Sequence, residues 1–341
     1  MCLLPNIPLA GLRMVYHSFF YFKEITMNHD QPIDLDQQAE LMKKYIVFKR
    51  KTRVKKLLIY TGYFRLSRYG KYLLSQSNII KSKPNQDLLF EAYDFDVKLR
   101  RLFFDYVKKV EIQFKSHLAN AVSLKANDSA FYLDRQYYTP SKGDNDKNKR
   151  KSNIEFFNNK FFKNLQAQEK ELRQNVNKYP ELKEYRNGGS RSRKKIPCWA
   201  AFSYFEFGII TNIYAFLRGD LRKTVLTYGY SRKNYSKQVT KQMDTWLDAT
   251  RNLRNVCSHH NKLIGKTSSI VLPEFDEDDI LVTNTDLFSR IYALKKILNE
   301  NDAKQLKLDL DKLVRKTKFD VYLFEILPSD WQERYDRINK L

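Results

Sequence analysis

Cysteine is scarce and unpaired in this 341-residue chain: Cys2, Cys198 and Cys257 are odd in number, far apart and form no CxxC motif. That excludes a disulfide framework or a zinc knuckle and fits a reducing cytoplasm. Long hydrophobic runs are also missing. The one markedly apolar stretch, Met1 to Phe22, is broken by Pro5, Pro8, Arg13 and His17 and lacks a basic leader segment, so it does not read as a signal peptide. Met14 and Met27 offer alternative starts, which makes the first 26 residues read as an upstream extension. No other stretch approaches the roughly 20 apolar residues that span a bilayer. There is no P-loop or glycine-rich phosphate cradle, no internal repeat and no heptad run, so nothing points to a nucleoside triphosphate site or a coiled coil. Negative charge is thin, with 39 Asp and Glu against 62 Lys and Arg.

The resulting net charge of +23 is the footprint of a protein that meets polyanions. Nucleic acid is the favoured partner over an anionic membrane surface. The 22 Tyr and 23 Phe can supply stacking faces for bases, although most aromatics of a helical protein belong to its core. Hydrophobic residues make up 42% of the chain, enough for a proper core in one large domain or two to three small ones.

Strand signals are few and helical periodicity is widespread, so the expected class is all-α. Helices are expected over 35–51, 57–74, 94–125, 156–179, 199–217, 287–298 and 303–314, with a last one starting at Pro328-Ser329-Asp330. In 94–125 the residues Leu99, Leu102, Phe103, Tyr106, Val110, Phe114, Leu118 and Ala121 form a continuous stripe at steps of three and four. His117 lies off that stripe and reads as a surface or supporting residue. In 57–74 Tyr60, Tyr63, Phe64, Tyr69 and Tyr72 interleave with Arg65, Arg68 and Lys71. Such a pattern either lines a groove for single-stranded nucleic acid or folds as a hairpin with its aromatics inward. Residues 139–153 and 186–195 are basic, with Gly and Asn, and read as exposed loops. Arg191, Arg193, Lys194 and Lys195 of the second either clamp RNA or are simply solvated.

The segment with the clearest chemistry is Arg254-Asn255-Val256-Cys257-Ser258-His259, followed by His260. A guanidinium holds phosphate at any pH and an imidazole moves protons near neutrality. Projected on a helix through 246–264, Trp246, Thr250, Leu253, Val256, Cys257, His260 and Ile264 share the buried arc, while Asn255 and His259 lie opposite. Arg254 and His259 then diverge by about 140°. Two copies meeting about a twofold axis would pair the arginine of one with the histidine of the other. Alone, the spacing also describes an ordinary solvated helix face. Metal ligation by the two histidines is not expected, since no acidic or cysteine partner sits at ligand spacing.

The segment Arg254 to His260 resembles the Arg-Asn-x-Cys-Ala-His-His signature of AbiD/AbiF-type abortive-infection proteins, with Ser258 in place of alanine. Gly62-Tyr63-Phe64-Arg65-Leu66-Ser67, Tyr93 to Arg100, Val110-Glu111-Ile112, Pro197-Cys198-Trp199 and Glu206-Phe207-Gly208 resemble further elements of that family in the same order, over about 35–265. The family is similar to the HEPN superfamily of helical ribonucleases. The resemblance implies a HEPN-like helical bundle over 85–270 with a basic insertion around 126–195. An extension (1–34) and a helical segment (35–84) precede the bundle, and a small helical extension (271–341) follows it. It also implies a cytoplasmic phage-defence toxin that cleaves RNA without metal or other cofactor, at a site shared by a homodimer. A partner that restrains activity is implied too, in some relatives a small noncoding RNA antitoxin. On this resemblance His259 is general base or acid, Arg254 stabilises the phosphorane and Asn255 orients phosphate or imidazole. His260 and Glu111 are accessory. An RNA sensor without turnover and a toxin that modifies nucleotides or RNA ends remain the competing expectations.

Overall fold

The computed structural model describes residues 31–175, 177–186, 195–230, 235–275 and 278–341. Residues 1–30, with the expected upstream extension, and Arg191, Arg193 and Lys194 lie outside the described residues. Among the described residues the secondary structure is helical throughout, with two isolated bridges (Val47 with Asn85, Tyr138 with Leu217) and no strand.

Helix α1 (Leu35–Met42) starts on a reciprocal cap in which Asp34 accepts from the Gln37 backbone N–H and the Gln37 side chain accepts from Asp34 N–H. It stops at Met42, short of the helix expected to 51. The chain turns back to pair Val47 with Pro84 and Gln86, which buries Ile46. Helices α2 (Lys51–Thr61) and α3 (Tyr63–Ser75) meet at Gly62, whose φ of 76° suits a glycine. A single turn, α4 (Ser77–Ile80), precedes α5 (Gln86–Ala126), a helix of 41 residues and about 60 Å that begins on the Asn85 side chain.

The basic segment 139–153 is not a loop throughout. Asp146 accepts from Lys149 N–H at 2.8 Å and starts α6 (Lys147–Phe156), which runs through a π turn (Phe157–Phe161) into α7 (Phe162–Gln174). A single turn, α8 (Lys183–Arg186), follows. The expected helix 199–217 is two, α9 (Cys198–Tyr204) and α10 (Phe207–Phe216), because extended backbone at Phe205 and Glu206 lets both Phe205 and Phe207 turn into the core. Then come α11 (Gly219–Gly229), α12 (Lys237–Ser258), α13 (Leu287–Ile297), α14 (Glu300–Lys316) and α15 (Trp331–Arg337).

Helix α5 is the spine, with α3, α9, α11, α12 and α14 packed along it. Its stripe of Leu99, Phe103, Tyr106, Val110, Phe114, Leu118 and Ala121 is buried as the periodicity predicts, and Leu102 is half-buried. The C-terminal helices share this core. Helix α13 lies along α12, where Lys296 pairs with Asp278 at 2.6 Å with both side chains fully buried. Helix α14 lies along α5, where the Tyr106 hydroxyl donates to Asp309 at 2.7 Å. None of the described helices is long and apolar enough to cross a membrane.

Candidate functional site

Helix α12 carries the Arg254–His259 segment at its C-terminal end, and its apolar face fixes how the segment is presented. Trp246, Thr250, Leu253, Val256 and Cys257 are buried against α5, α10 and α13, which leaves Asn255 exposed and Arg254 partly so. The Arg254 guanidinium reaches the Asn255 side-chain oxygen at 3.4 Å, and no ion pair forms at Arg254 among the described residues. Burial pushes the Cys257 thiol up to about 12, so it is a packing residue and no nucleophile.

The helix ends at Ser258, well before residue 264, to which the projection carried it. His259 is the C-cap, His260 takes a left-handed φ of 53°, and Asn261 extends the chain. The N–H of His260 donates to Cys257 O at 3.2 Å and that of Asn261 to Val256 O at 3.0 Å, the paired bonds of a Schellman ending. His260 therefore leaves the buried arc assigned to it by an uninterrupted helix. Both histidines are exposed, side by side.

What holds this ending lies on other helices. Asp96 of α5 is fully buried, and its Oδ1 accepts from Leu263 N–H at 2.9 Å and Ile264 N–H at 2.8 Å. Its other oxygen accepts from Tyr69 of α3 and from Arg100, one turn further along α5. Arg100 in turn donates to Asn261 O at 3.1 Å. Burial, then the Asp96 carboxylate, holds the Tyr69 hydroxyl protonated far above the phenol range. Every lone-pair direction of this buried carboxylate is met, which is the condition for a buried charge to be tolerated. Beyond it, Lys262 lies over the Tyr72 ring at 4.1 Å and donates to Ile264 O at 2.9 Å, and burial pulls its ammonium down to about 8. A Cβ at Gly265, where φ is 60°, would come within 2.1 Å of the Tyr72 ring, so the turn needs glycine.

Asp96, Arg100, Tyr69 and Asn261 are the supporting residues that sequence reasoning missed. Their signal was present: Asp96 lies three residues before Leu99 and seven before Phe103, a charged residue in register with a core stripe.

The basic-aromatic helix α3 lies beside the site. Arg68 reaches from it to the Asn261 side-chain oxygen at 3.4 Å, and its guanidinium sits 5.8 Å from the Phe64 ring centre. Arg65 and Lys71 are exposed, with Lys71 over Tyr45 at 5.7 Å. Tyr69 is buried, while Tyr60 and Phe64 are 80% and 78% exposed. Some aromatics of this stretch thus turn inward, as a hairpin would have them, and two face solvent among cations. Lys195 is exposed but nothing joins it to the site. Within one chain Glu111 is not brought to the end of α12. It pairs with Lys115 at 2.8 Å and lies about 16 Å along α5 beyond Arg100. His117 is half-buried between Tyr228 and Tyr230, against Gly229, and burial lowers its pKa. Among the described residues no three His, Cys, Asp or Glu side chains are grouped to hold a metal ion.

A family model described as Abi-like protein matches residues 56–265, well over half of the 341 residues. The matched stretch starts in α2, takes in α3, α5 and α12, and ends at the glycine turn after the histidines. No curated protein and no solved structure matches the chain.

Proposed function

The chain belongs to the Abi-like family of abortive-infection proteins, and we propose on that premise that it is a HEPN-type endoribonuclease of the AbiD/AbiF kind, acting as a phage-defence toxin. The observation that carries the reading is the end of α12, where a guanidinium, an amide and two imidazoles meet solvent together on a turn pinned from behind by Asp96 and Arg100.

The chemistry follows from those groups. The ribose 2′-oxygen attacks the adjacent phosphorus and gives its proton to an imidazole, His259. The phosphorus–5′-oxygen bond breaks, and a second imidazole protonates the leaving oxygen. Products are a 2′,3′-cyclic phosphate and a 5′-hydroxyl. Arg254 stabilises the extra charge on the phosphorane and Asn255 orients the phosphate. His260, freed from the core by the early helix end, stands where it can serve as the second proton carrier, and a second copy of the chain can supply it equally. Exposed Phe64, with Arg65 and Arg68 beside it, gives the strand a stacking face next to the reacting groups. A homodimer brings Arg254 of one chain to His259 of the other.

Purified full-length protein is expected to cleave single-stranded RNA in EDTA, leaving cyclic phosphate ends. Arg254→Ala and His259→Ala should each lose about 10²- to 10⁴-fold in rate. Mixing these two variants should recover up to about half of the activity if the site is shared between chains. Strict metal dependence would overturn the mechanism, and tight salt-sensitive binding without turnover would leave an RNA-binding module instead.

A further inference from the structure

Charge is spread unevenly along the chain. Between Leu41 and Gln86 there are thirteen Lys and Arg and no Asp or Glu, so this stretch of 46 residues carries +13 of the net +23. Like charges at that density repel one another, and the fold relieves part of the repulsion with carboxylates from either side of the stretch. Lys43 pairs with Glu40, Lys51 with Asp36 and Glu40, Lys55 with Asp36 and Arg53 with Asp87, all at 2.7 to 2.9 Å. The relief stops at the outward face of α2 and α3. Lys56, Arg65, Arg68 and Lys71 form no ion pair among the described residues, and neither helix holds a carboxylate. On α2, Lys56 stands one turn from Tyr60, opposite the buried Val54 and Leu58; on α3, Phe64, Arg68 and Lys71 follow at steps of four and three, opposite the buried Leu66 and Leu73. Ile59, Tyr60 and Phe64 are 61%, 80% and 78% exposed among these cations. Three large apolar side chains this open within six positions mark a surface on which a partner docks. Arg68 joins it to the end of α12 through the Asn261 side chain.

We infer that this face is the track on which a single-stranded RNA lies as it runs to the end of α12, with phosphates on Lys56, Arg65 and Lys71 and unstacked bases on Tyr60 and Phe64. The choice of RNA rests on the ribonuclease reading; the polyanion and its open bases follow from the face itself. Cations without carboxylates call for phosphates, and exposed rings are covered by the flat faces of bases. A duplex keeps its bases stacked on one another and offers such rings nothing. An anionic lipid surface calls for a broad apolar face that sinks into it, whereas here cations interrupt the apolar side chains. The contact thus extends from the one ring nearest the histidines to a second ring and a second helix, and the strand is held over several nucleotides on one side of the reacting phosphate.

The test is fluorescence anisotropy of a labelled ten-nucleotide single-stranded RNA titrated with full-length protein carrying His259→Ala, over a series of salt concentrations. Adding Tyr60→Ala should weaken binding about tenfold. Lys56→Ala and Lys71→Ala should each lower the slope of log affinity against log salt by about 0.7. Lys55→Ala is the control, since it removes the same charge one residue away from Lys56 but one tied to Asp36, and it should leave the slope unchanged. Tyr60, Lys56 and Lys71 are exposed, so their variants keep the fold. The inference is overturned if Tyr60→Ala and Lys56→Ala bind the strand as their parent does, or if duplex RNA of the same length binds as tightly. It is overturned too if Tyr60→Ala loses binding to phosphatidylserine vesicles and keeps binding to RNA. Binding that follows these variants, in a protein whose wild type never cleaves RNA, sustains the face and removes the ribonuclease reading. Cleavage by the wild type, with undiminished RNA affinity in Tyr60→Ala and Lys56→Ala, removes the face and sustains that reading.

Discussion

The two sides of the α12 terminus are built on opposite terms. Before the helix ends, Arg254, Asn255 and His259 face solvent and bond little beyond one another. Immediately after it, Asn261, Leu263 and Ile264 are tied to two other helices: the Asp96 carboxylate accepts from the Leu263 and Ile264 N–H groups, Arg100 donates to Asn261 O and Arg68 to the Asn261 side chain, while Tyr69 donates to Asp96 behind them. The difference separates two jobs that a single motif is easily credited with. The seven residues Arg254 to His260 present the groups of the proposed chemistry, and the residues just beyond them hold that presentation still.

The comparison breaks most readily at Asp96. Removing one member of a buried ion pair strands the other, so Asp96→Ala is expected to cost about 3 to 5 kcal/mol in urea unfolding. A loss under about 1 kcal/mol would mean that the tail is not held there. Tyr69→Phe keeps the ring and removes one donor to the carboxylate, for an expected loss of about 1 to 2 kcal/mol in the same measurement. Lys262 offers a pH probe. Its folded value of about 8 lies below the ordinary lysine value of about 10.4, so between the two the unfolded chain binds more protons. Stability should climb with pH across that window, by at most about 1.4 kcal/mol per unit from this group, and stay flat in it below pH 8. Lys262→Met should flatten the climb relative to wild type, and an identical slope in both proteins would refute the burial of the ammonium. The smallest effects belong to the open side. Arg254→Ala, Asn255→Ala and His259→Ala should shift unfolding by no more than about 0.5 kcal/mol, and losses on the scale of Asp96→Ala would erase the distinction.

Much of this organisation was legible in the amino-acid pattern, for reasons that also mark where legibility stops. The α5 stripe and the buried face of α12 follow from 3.6-residue periodicity, a local property of the chain. The end of α12 does not, because it depends on backbone bonds from His260 and Asn261 and on a carboxylate more than 160 positions away, in contact only once the chain has folded. The same holds for α6, started by one Asp146 side chain within a segment too polar to show an apolar face, and for the break at Phe205, which two buried aromatics enforce from outside. The candidate site residues Arg254, Asn255 and His259 were visible in order. Their supports Asp96 and Tyr69 were visible only as a misplaced charge and one aromatic among many.

The left-handed backbone of His260 has an evolutionary consequence. Glycine meets that conformation without strain, whereas a residue bearing a Cβ pays about 1 kcal/mol or more to hold it. A library of random variants screened for heat resistance alone should therefore enrich His260→Gly, while selection for whatever the imidazole does keeps histidine in place. At this one position durability and function pull in opposite directions, and the sign of the preference in such a screen reports which of them natural selection has favoured.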